Sequence, residues 1–405
     1  MLKGKKIVLG VSGGIAIYKV VDLVSKLRKK GAEIRVVMTE NAAKFVSPLL
    51  FAEISGHKAA VSMWDGRDEF NVEHIALANW GDVLLLAPAT ANILAKMTYG
   101  LADDLLSTVL LAAPCPKIVC PAMNTGMYEN VVTQANLALL RKRGVEIMEP
   151  GCGELACGTT GAGRLPEVPE IIAALERFFA LREGAMRGVK VMVTAAGTRE
   201  PIDPVRFIGN RSSGKMGYAI AKEALLRGAE VVLITGPSAL TPPPYARVIN
   251  VETTQQMMDA CMAEFPAVDV VIKAAAVADF KPREVAGQKI KKIHPEDGMT
   301  VILDQNPDIL KTLGSVKKQQ FLVGFAAETQ NLLENAAAKV KKKNLDMIVA
   351  NDVSMKGAGF NTDTNIVKFL YPDGKIEALE ILSKDDVAEI LLDRVMEKRS
   401  GKANG

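Results

Sequence analysis

Two four-residue turns, Lys30-Gly31-Ala32-Glu33 and Arg227-Gly228-Ala229-Glu230, impose one plan twice on this 405-residue chain. Each closes a helix-spaced apolar run and opens a short apolar strand. In the first, Ile17, Val20, Val21, Val24 and Leu27 recur with helical period, Gly31 ends the helix, and Glu33–Met38 reads as a strand. In the second, Lys215–Leu226 is the helix and Glu230–Ile234 the strand. Apolar runs precede both helices, at Lys5–Leu9 and Val189–Val193. A strand, a helix and a second strand close together in sequence pair in parallel through the helical crossover. The chain is therefore predicted to be α/β, with two doubly wound domains.

A chain this long exceeds one ordinary core. The polar, glycine-containing stretch Arg182–Gly188 is the expected boundary, giving domains 1–186 and 187–405. A net charge of +4 carries no nucleic-acid footprint, and no apolar run reaches the ~18 residues of a membrane span. The start, Met1-Leu2-Lys3-Gly4-Lys5-Lys6, passes straight into a strand, so no signal peptide is expected. Five cysteines and three histidines make neither a disulfide framework nor a structural zinc site. A cytoplasmic protein without nucleic-acid or membrane partners is expected.

In open α/β sheets ligands bind at the carboxyl ends of the strands. The first strand runs into Gly10-Val11-Ser12-Gly13-Gly14, a glycine-rich turn before a helix. It is not Gly-x-Gly-x-x-Gly, and only Glu40 follows the second strand, which ends in Thr39-Glu40-Asn41. A mononucleotide such as FMN therefore fits better than the dinucleotide of an NAD(P)-dependent oxidoreductase. Val83–Leu86 ends in Ala87-Pro88-Ala89-Thr90-Ala91-Asn92. These small residues either let a planar ring lie on backbone or form a plain turn capped by Thr90. A helix beginning near Asp103-Asp104 carries Ser107. Ile118-Val119-Cys120-Pro121 is a strand end followed by Ala122-Met123-Asn124. Asn124 is either an uncharged ligand contact or the cap of the next helix. His74, a lone histidine, reads as structural or catalytic. Glu149–Arg164 sets Cys152 and Cys157 among five glycines. It is expected to be a mobile loop, either a lid carrying a reactive thiol or plain surface.

The second half inserts Ala195–Gly214 between strand and helix, long for such a loop. Asn210, Arg211, Ser212, Ser213 and Lys215 there suit a phosphate, although no P-loop pattern exists. Val268–Ile272 is a strand leading to Lys273–Asp279. The basic Lys289–Lys292 is a solvated turn or a triphosphate contact, with Asp279 holding magnesium or ribose. Lys339–Lys343 ends a helix, where its charges suit the dipole without any ligand. Asn365–Leu370 and Lys375–Leu382 read as a hairpin around Pro372-Asp373-Gly374.

Taken together, several of these segments resemble one family. They are Val11–Ala16 with Tyr18-Lys19, Ala87–Asn92, Pro121–Asn124, Ala156-Cys157-Gly158, Phe207–Gly217, Ala274–Asp279, Lys289–Lys292 and Gly324–Glu328. The family is that of the bacterial bifunctional phosphopantothenoylcysteine decarboxylases fused to phosphopantothenate–cysteine ligases, and the likeness covers essentially the whole chain. The resemblance implies two Rossmann-like domains: an N-terminal flavoprotein of cysteine decarboxylase type and a C-terminal nucleotide-dependent ligase. It implies that FMN oxidises the substrate's terminal cysteine, that carbon dioxide is then lost, and that the returned hydride yields 4'-phosphopantetheine. His74 matches the family's base, Asn124 its carboxylate-binding residue, and Cys157 the thiol that supplies a proton. Ser12, Gly13, Thr39, Ala89, Thr90, Asn92 and Ser107 are the implied cofactor contacts.

For the ligase, the resemblance implies activation of 4'-phosphopantothenate by CTP as an acyl cytidylate, which free cysteine then attacks. Asn210 matches the residue that handles the acyl cytidylate, and Lys289 the nucleotide-activating lysine. Ala275, Asp279, Asn306, Pro307, Asp308, Ile309, Phe325, Lys339 and Lys343 are the implied CTP contacts, with Mg2+ at Asp279. The implied assembly has trimeric decarboxylase units, extending up to a dodecamer, and dimeric ligase contacts. Arg211 stands where some relatives carry His, and the role of Cys152 stays open.

Overall fold

The computed structural model describes residues 2–64, 73–154, 158, 160–291, 298–328, 332–352 and 362–403. The chain forms two compact units, Met1–Glu176 and Arg177–Gly405.

The first unit is built on five parallel strands: β1 Lys6–Val11, β2 Glu33–Met38, β3 Val83–Ala89, β4 Lys117–Pro121 and β5 Glu146–Ile147. Their order is β2-β1-β3-β4-β5. Val8 pairs with both Arg35 and Leu84, so β1 is an interior strand, and after Lys6 its sequence carries no polar side chain. Val8, Leu84, Leu86 and Val119 pack with Leu105, Leu106 and Val109 of the helix Leu105–Ala112. Chain order reverses between β1 and β3. That reversal opens a crevice above the strand ends, the place where flavodoxin-like sheets hold a mononucleotide.

The expected mobile loop at 149–164 contains a two-stranded ribbon, β6 Gly151–Glu154 with β7 Thr160–Arg164. Glycine-rich strands are poorly marked in sequence because they have few side chains to alternate. A helix follows over Val168–Glu183.

The second unit repeats the plan at larger size. Its sheet comprises β8 Lys190–Ala195, β11 Glu230–Thr235, β12 Arg247–Asn250, β13 Val270–Lys273, β16 Phe321–Glu328, β17 Met347–Asp352, β19 Val367–Leu370 and β20 Ile376–Ala378. The order is β12-β11-β8-β13-β16-β17-β19-β20, with the last two antiparallel. The expected hairpin at 365–382 is thus the sheet's edge. Alternation along β8 sends Val191 and Val193 into one core layer and Met192 into the other. Helices Lys215–Leu226 and Lys384–Ala403 cover the first layer; Thr254–Glu264, Ile309–Val316 and Leu332–Lys342 cover the second. Here chain order reverses between β8 and β13.

The Ala195–Gly214 insertion holds its own ribbon, β9 Arg199–Pro201 with β10 Phe207–Gly209. A second ribbon pairs β14 Phe280–Pro282 with β15 Leu303–Gln305. The two-residue strands β18 Thr364–Asn365 and β21 Leu382–Ser383 pair beside the edge. Among the described residues no helix is long and apolar enough to cross a membrane.

Candidate active sites

Above β1 and β3 lies a cavity of about 720 Å³. Gly13 and Gly14 of the first turn line it with Thr90, Met123, Asn124 and Gly163. The glycine turn is held from below by Ser12, which is buried. Ser12 Oγ donates to the Pro88 carbonyl at 2.7 Å and accepts from the Thr90 amide at 3.0 Å. The hydroxyl thus ties the ends of β1 and β3 together. A side chain at Gly13 would put its Cβ 2.8 Å from that of Asn41, so only glycine lets the chain pass there.

The helix that leaves this turn, Ile17–Lys29, has Ala16 at its N-cap and no side-chain cap. Thr39, Ser47, Thr90, Asp104, Asn130 and Thr253 all cap their helices with side-chain oxygens. The uncapped start faces the cavity, and its last turn is basic, so its dipole favours an anion at the open end. Lys19 also lines the cavity and pairs with Glu167 at 2.8 Å.

Asn124 caps a helix and lines the cavity. Its Oδ1 accepts from the Gly126 amide at 2.8 Å, capping the short helix Thr125–Tyr128, and the residue lines the cavity. Thr90 likewise caps Ala91–Tyr99 and lines the cavity. The ribbon closes one side: the Met123 amide donates to the Gly163 carbonyl at 2.9 Å.

The other expected contacts fall outside the lining. Thr39 caps Glu40–Ala43, Ala89 is buried in β3, and Asn92 is exposed on its helix. Ser107 is buried in a capping box with Asp104. His74, half-buried in the helix Glu73–Trp80, does not line the cavity. Cys157 lies outside the described residues, while Cys152 is exposed on β6.

The second cavity, about 420 Å³, sits above the ends of β8 and β13. Asn210 to Gly217 form one wall and Lys273 to Val277, with Asp279, the other. Here too the entering helix, Lys215–Leu226, has no side-chain cap; its N-cap is Gly214 at φ +83°. Arg211, Lys215, Lys273, Lys339 and Lys384 face Asp279, the one carboxylate among the described lining residues. Such a surplus of cations suits a polyanion. Burial, and then the charge of Lys343, lower the Lys273 amine to about 8. Burial, and then Lys215, also lower Lys384.

Phe325 and Lys339 line this cavity, as does Ala275, whose amide donates to Thr194 Oγ1 at 3.2 Å. Lys343 pairs with Asp308 at 2.8 Å. Burial raises the Asp308 pKa, but Lys343 and the Lys311 amide outweigh it and the carboxyl is lowered. Asp308 caps the helix that starts at Ile309, which is buried, and Pro307 precedes it. Asn306 turns inward, its Nδ2 donating to the Ala278 carbonyl at 3.0 Å. Its buried Oδ1 has no partner among the described residues. Lys289 is exposed and outside the lining. Among the described residues no three His, Cys, Asp or Glu groups converge as a metal site.

Lys273 and Lys384 were not among the expected site residues. Lys273 was findable, because it follows the apolar run Val270-Val271-Ile272 at a strand end. Lys384 carried no such signal, since it starts a helix far along the chain.

A five-stranded parallel sheet with a glycine-lined cavity at its reversal, followed in the chain by an eight-stranded, mainly parallel sheet with a cationic cavity, defines a flavoprotein domain followed by an anion-handling α/β domain. Residues 1–180 match the family described as Flavoprotein. Residues 186–398 match the DNA/pantothenate metabolism flavoprotein C-terminal domain. The chain is 46% identical over 406 residues to the coenzyme A biosynthesis bifunctional protein CoaBC of Bacillus subtilis, covering 99% of this chain and 100% of that one. The namesake of Escherichia coli K12 is 43% identical, covering 99% of each. That of Vibrio vulnificus YJ016 is 45% identical, covering 97% of this chain and 98% of its own. The chain belongs to this family of bifunctional coenzyme A biosynthesis enzymes, with a flavoprotein decarboxylase half and a ligase half.

Proposed function

We propose that the C-terminal domain, residues 187–405, joins cysteine to 4'-phosphopantothenate with CTP, and that the N-terminal domain, residues 1–186, decarboxylates the product to 4'-phosphopantetheine with FMN. The observation that carries this reading is the pair of cavities, each at a point of strand-order reversal and each entered by a helix without a side-chain cap.

In the ligase, a carboxylate oxygen of 4'-phosphopantothenate attacks the α-phosphorus of CTP. The α–β bridging bond breaks and pyrophosphate leaves. The amine of cysteine then attacks the acyl carbon, loses a proton, and expels CMP. The lysines of the cavity offset phosphate charge, and Asn210 orients the acyl group. Phe325, Lys339 and the backbone at Ala275 bound the nucleotide; Asn306 to Ile309, with Lys343, support it from behind. Lys289 approaches the triphosphate from outside the cavity as its activating cation. Asp279 would help hold a magnesium ion brought in with the nucleotide, whose charge would offset that of the phosphates.

In the decarboxylase, the cradle fits a flavin mononucleotide. Ser12 and Gly13 shape the turn, the uncapped helix start receives the phosphate, and Thr90 lies alongside. Thr39, Ala89, Asn92 and Ser107 shape the surrounding wall. FMN supplies two-electron oxidation and its reversal. Asn124 binds the substrate carboxylate, His74 takes a proton, and Cys157 returns one. The apolar side chains of Ile15, Tyr18 and Met127 are exposed while lining this cavity. That exposure supports a site completed by another copy, as in trimeric units building up to a dodecamer, with dimeric contacts between ligase domains. A cytoplasmic location agrees with these soluble substrates.

The test is a split assay on one preparation given 4'-phosphopantothenate, cysteine, CTP and Mg2+. Wild type releases pyrophosphate and carbon dioxide. Cys157→Ser loses carbon dioxide alone, and Asn210→Ala loses pyrophosphate. A folded, yellow protein releasing neither product refutes the reading.

A further inference from the structure

Lys289 lies on an exposed segment, yet the peptide groups around it are fixed. The tether is Asp203, whose carboxylate is fully buried although the residue sits in a turn. Its Oδ1 accepts from the amides of Val205 and Arg206, both at 2.8 Å. Its Oδ2 accepts from the Arg206 guanidinium at 2.7 Å and from the amide of Ile290 at 3.2 Å. The same Arg206 nitrogen donates to the Ile290 carbonyl at 3.1 Å. One ion pair thus holds both the N–H and the C=O of the residue after Lys289. The turn grips a second point too, because the Ala286 amide donates to the Ile202 carbonyl at 2.9 Å.

A surface loop would satisfy its backbone with water. This one is tied after Lys289 to a buried ion pair and before it to the Ile202 carbonyl, and burying a carboxylate is costly without such compensation. Burial alone would raise the Asp203 pKa, but the three amides and Arg206 outweigh it and hold it at about 2. The group stays ionised throughout the working range. The turn also continues through β10 directly to Asn210.

We propose that Asp203 is a positioning residue of the ligase, acting through the Ile290 peptide to fix where Lys289 presents its ammonium group. This rests on the assignment of Lys289 above. It accounts for a residue that the cavity itself does not contain: a long, exposed lysine brings its charge to one place only if its backbone is anchored.

The test is a double-mutant cycle on the full chain, reading steady-state pyrophosphate release with 4'-phosphopantothenate, cysteine, CTP and Mg2+. Asp203→Asn removes the charge and one acceptor while keeping the volume. It is expected to lower kcat by about tenfold to a hundredfold, the scale of a misplaced charged group, with the KM for CTP changed by less than about threefold. In a Lys289→Ala background the same substitution is expected to cost less than about twofold more. Ile290→Pro removes the donated N–H, fixes the backbone around it and leaves the Asp203 carboxylate in place. It should reproduce the kcat loss even if Asp203→Asn fails to fold. Full additivity of Asp203→Asn and Lys289→Ala, or an unchanged kcat in Ile290→Pro, overturns the positioning role. An unaffected Lys289→Ala overturns the reading of Lys289 itself, so the two failures are distinct.

Discussion

Asn210 Nδ2 donates to the Val277 carbonyl at 2.8 Å, stitching the loop after β8 to the loop after β13. These loops flank the reversal in strand order, so the bond joins the two walls of the cavity. Asn210→Ala removes the tie and should abolish most pyrophosphate release. Asn210→Asp sets a carboxylate against a carbonyl and should do no better, although it is nearly isosteric. Equal activity of Asp and Asn at this position would show that the donated hydrogen bond does not matter.

The Lys273 amine, at about 8, titrates below the ordinary lysine value of 10.5. Lys343 opposes its charge, whereas Asp308 and Asp279 favour it. A bound triphosphate favours the ammonium form, so binding takes up a proton between these two values. Affinity for CTP should therefore weaken as pH rises through that window. The nucleotide-free fold behaves oppositely: the unfolded chain still binds the proton there, so stability rises with pH over the same interval. Calorimetry at pH ~9 in two buffers of different ionisation heat measures the uptake. Lys273→Met should abolish it; an unchanged uptake assigns the proton elsewhere.

Gly163 has φ +130°, and a Cβ there would lie 2.2 Å from the Met123 carbonyl oxygen. Gly163→Ala must push the ribbon away from Met123 and Asn124 or distort both. Such backbone strain costs about 1–3 kcal/mol. Flavin absorbance per chain should fall, with pyrophosphate release kept. Full flavin occupancy in this variant would mean that the ribbon does not shape the cavity.

Ser12→Ala deletes a buried hydroxyl that serves the Pro88 carbonyl and the Thr90 amide at once. Leaving such groups unsatisfied costs about 1–3 kcal/mol. A lower denaturant midpoint for the flavin domain, accompanied by faster flavin loss, is expected. A midpoint equal to wild type would show that water replaces the hydroxyl without cost.

Much of this was legible because strand ends are marked in sequence. The apolar runs at 7–9, 84–86 and 118–120 stop at Gly10, Pro88 and Pro121, and the residues beyond them, Gly13, Thr90 and Asn124, line one cavity. Asn210 was legible for a related reason, lying in a polar insertion too long for a plain turn. The ribbon of β6 and β7 was not, since glycine gives no alternation of side chains. Nor was the placing of His74 and Lys289. Both are recognisable by motif, but His74 is not in the lining of the first cavity nor Lys289 in that of the second, and spacing along the chain does not say which face an element presents.

By itself the sequence determined the two α/β layers, the parallel sense of their strands and the turns that carry the chemistry. Those features follow from periodicity, from proline and glycine at strand ends, and from crossover length, all of which are local. Only the tertiary structure decided the strand orders and thus where each crevice opens. It alone brought Lys384 beside Lys215, though 169 positions separate them, and set Asp203 under the peptide next to Lys289. Those relations depend on which distant segments share a core and on which buried charges find partners, and short-range pattern carries no record of either.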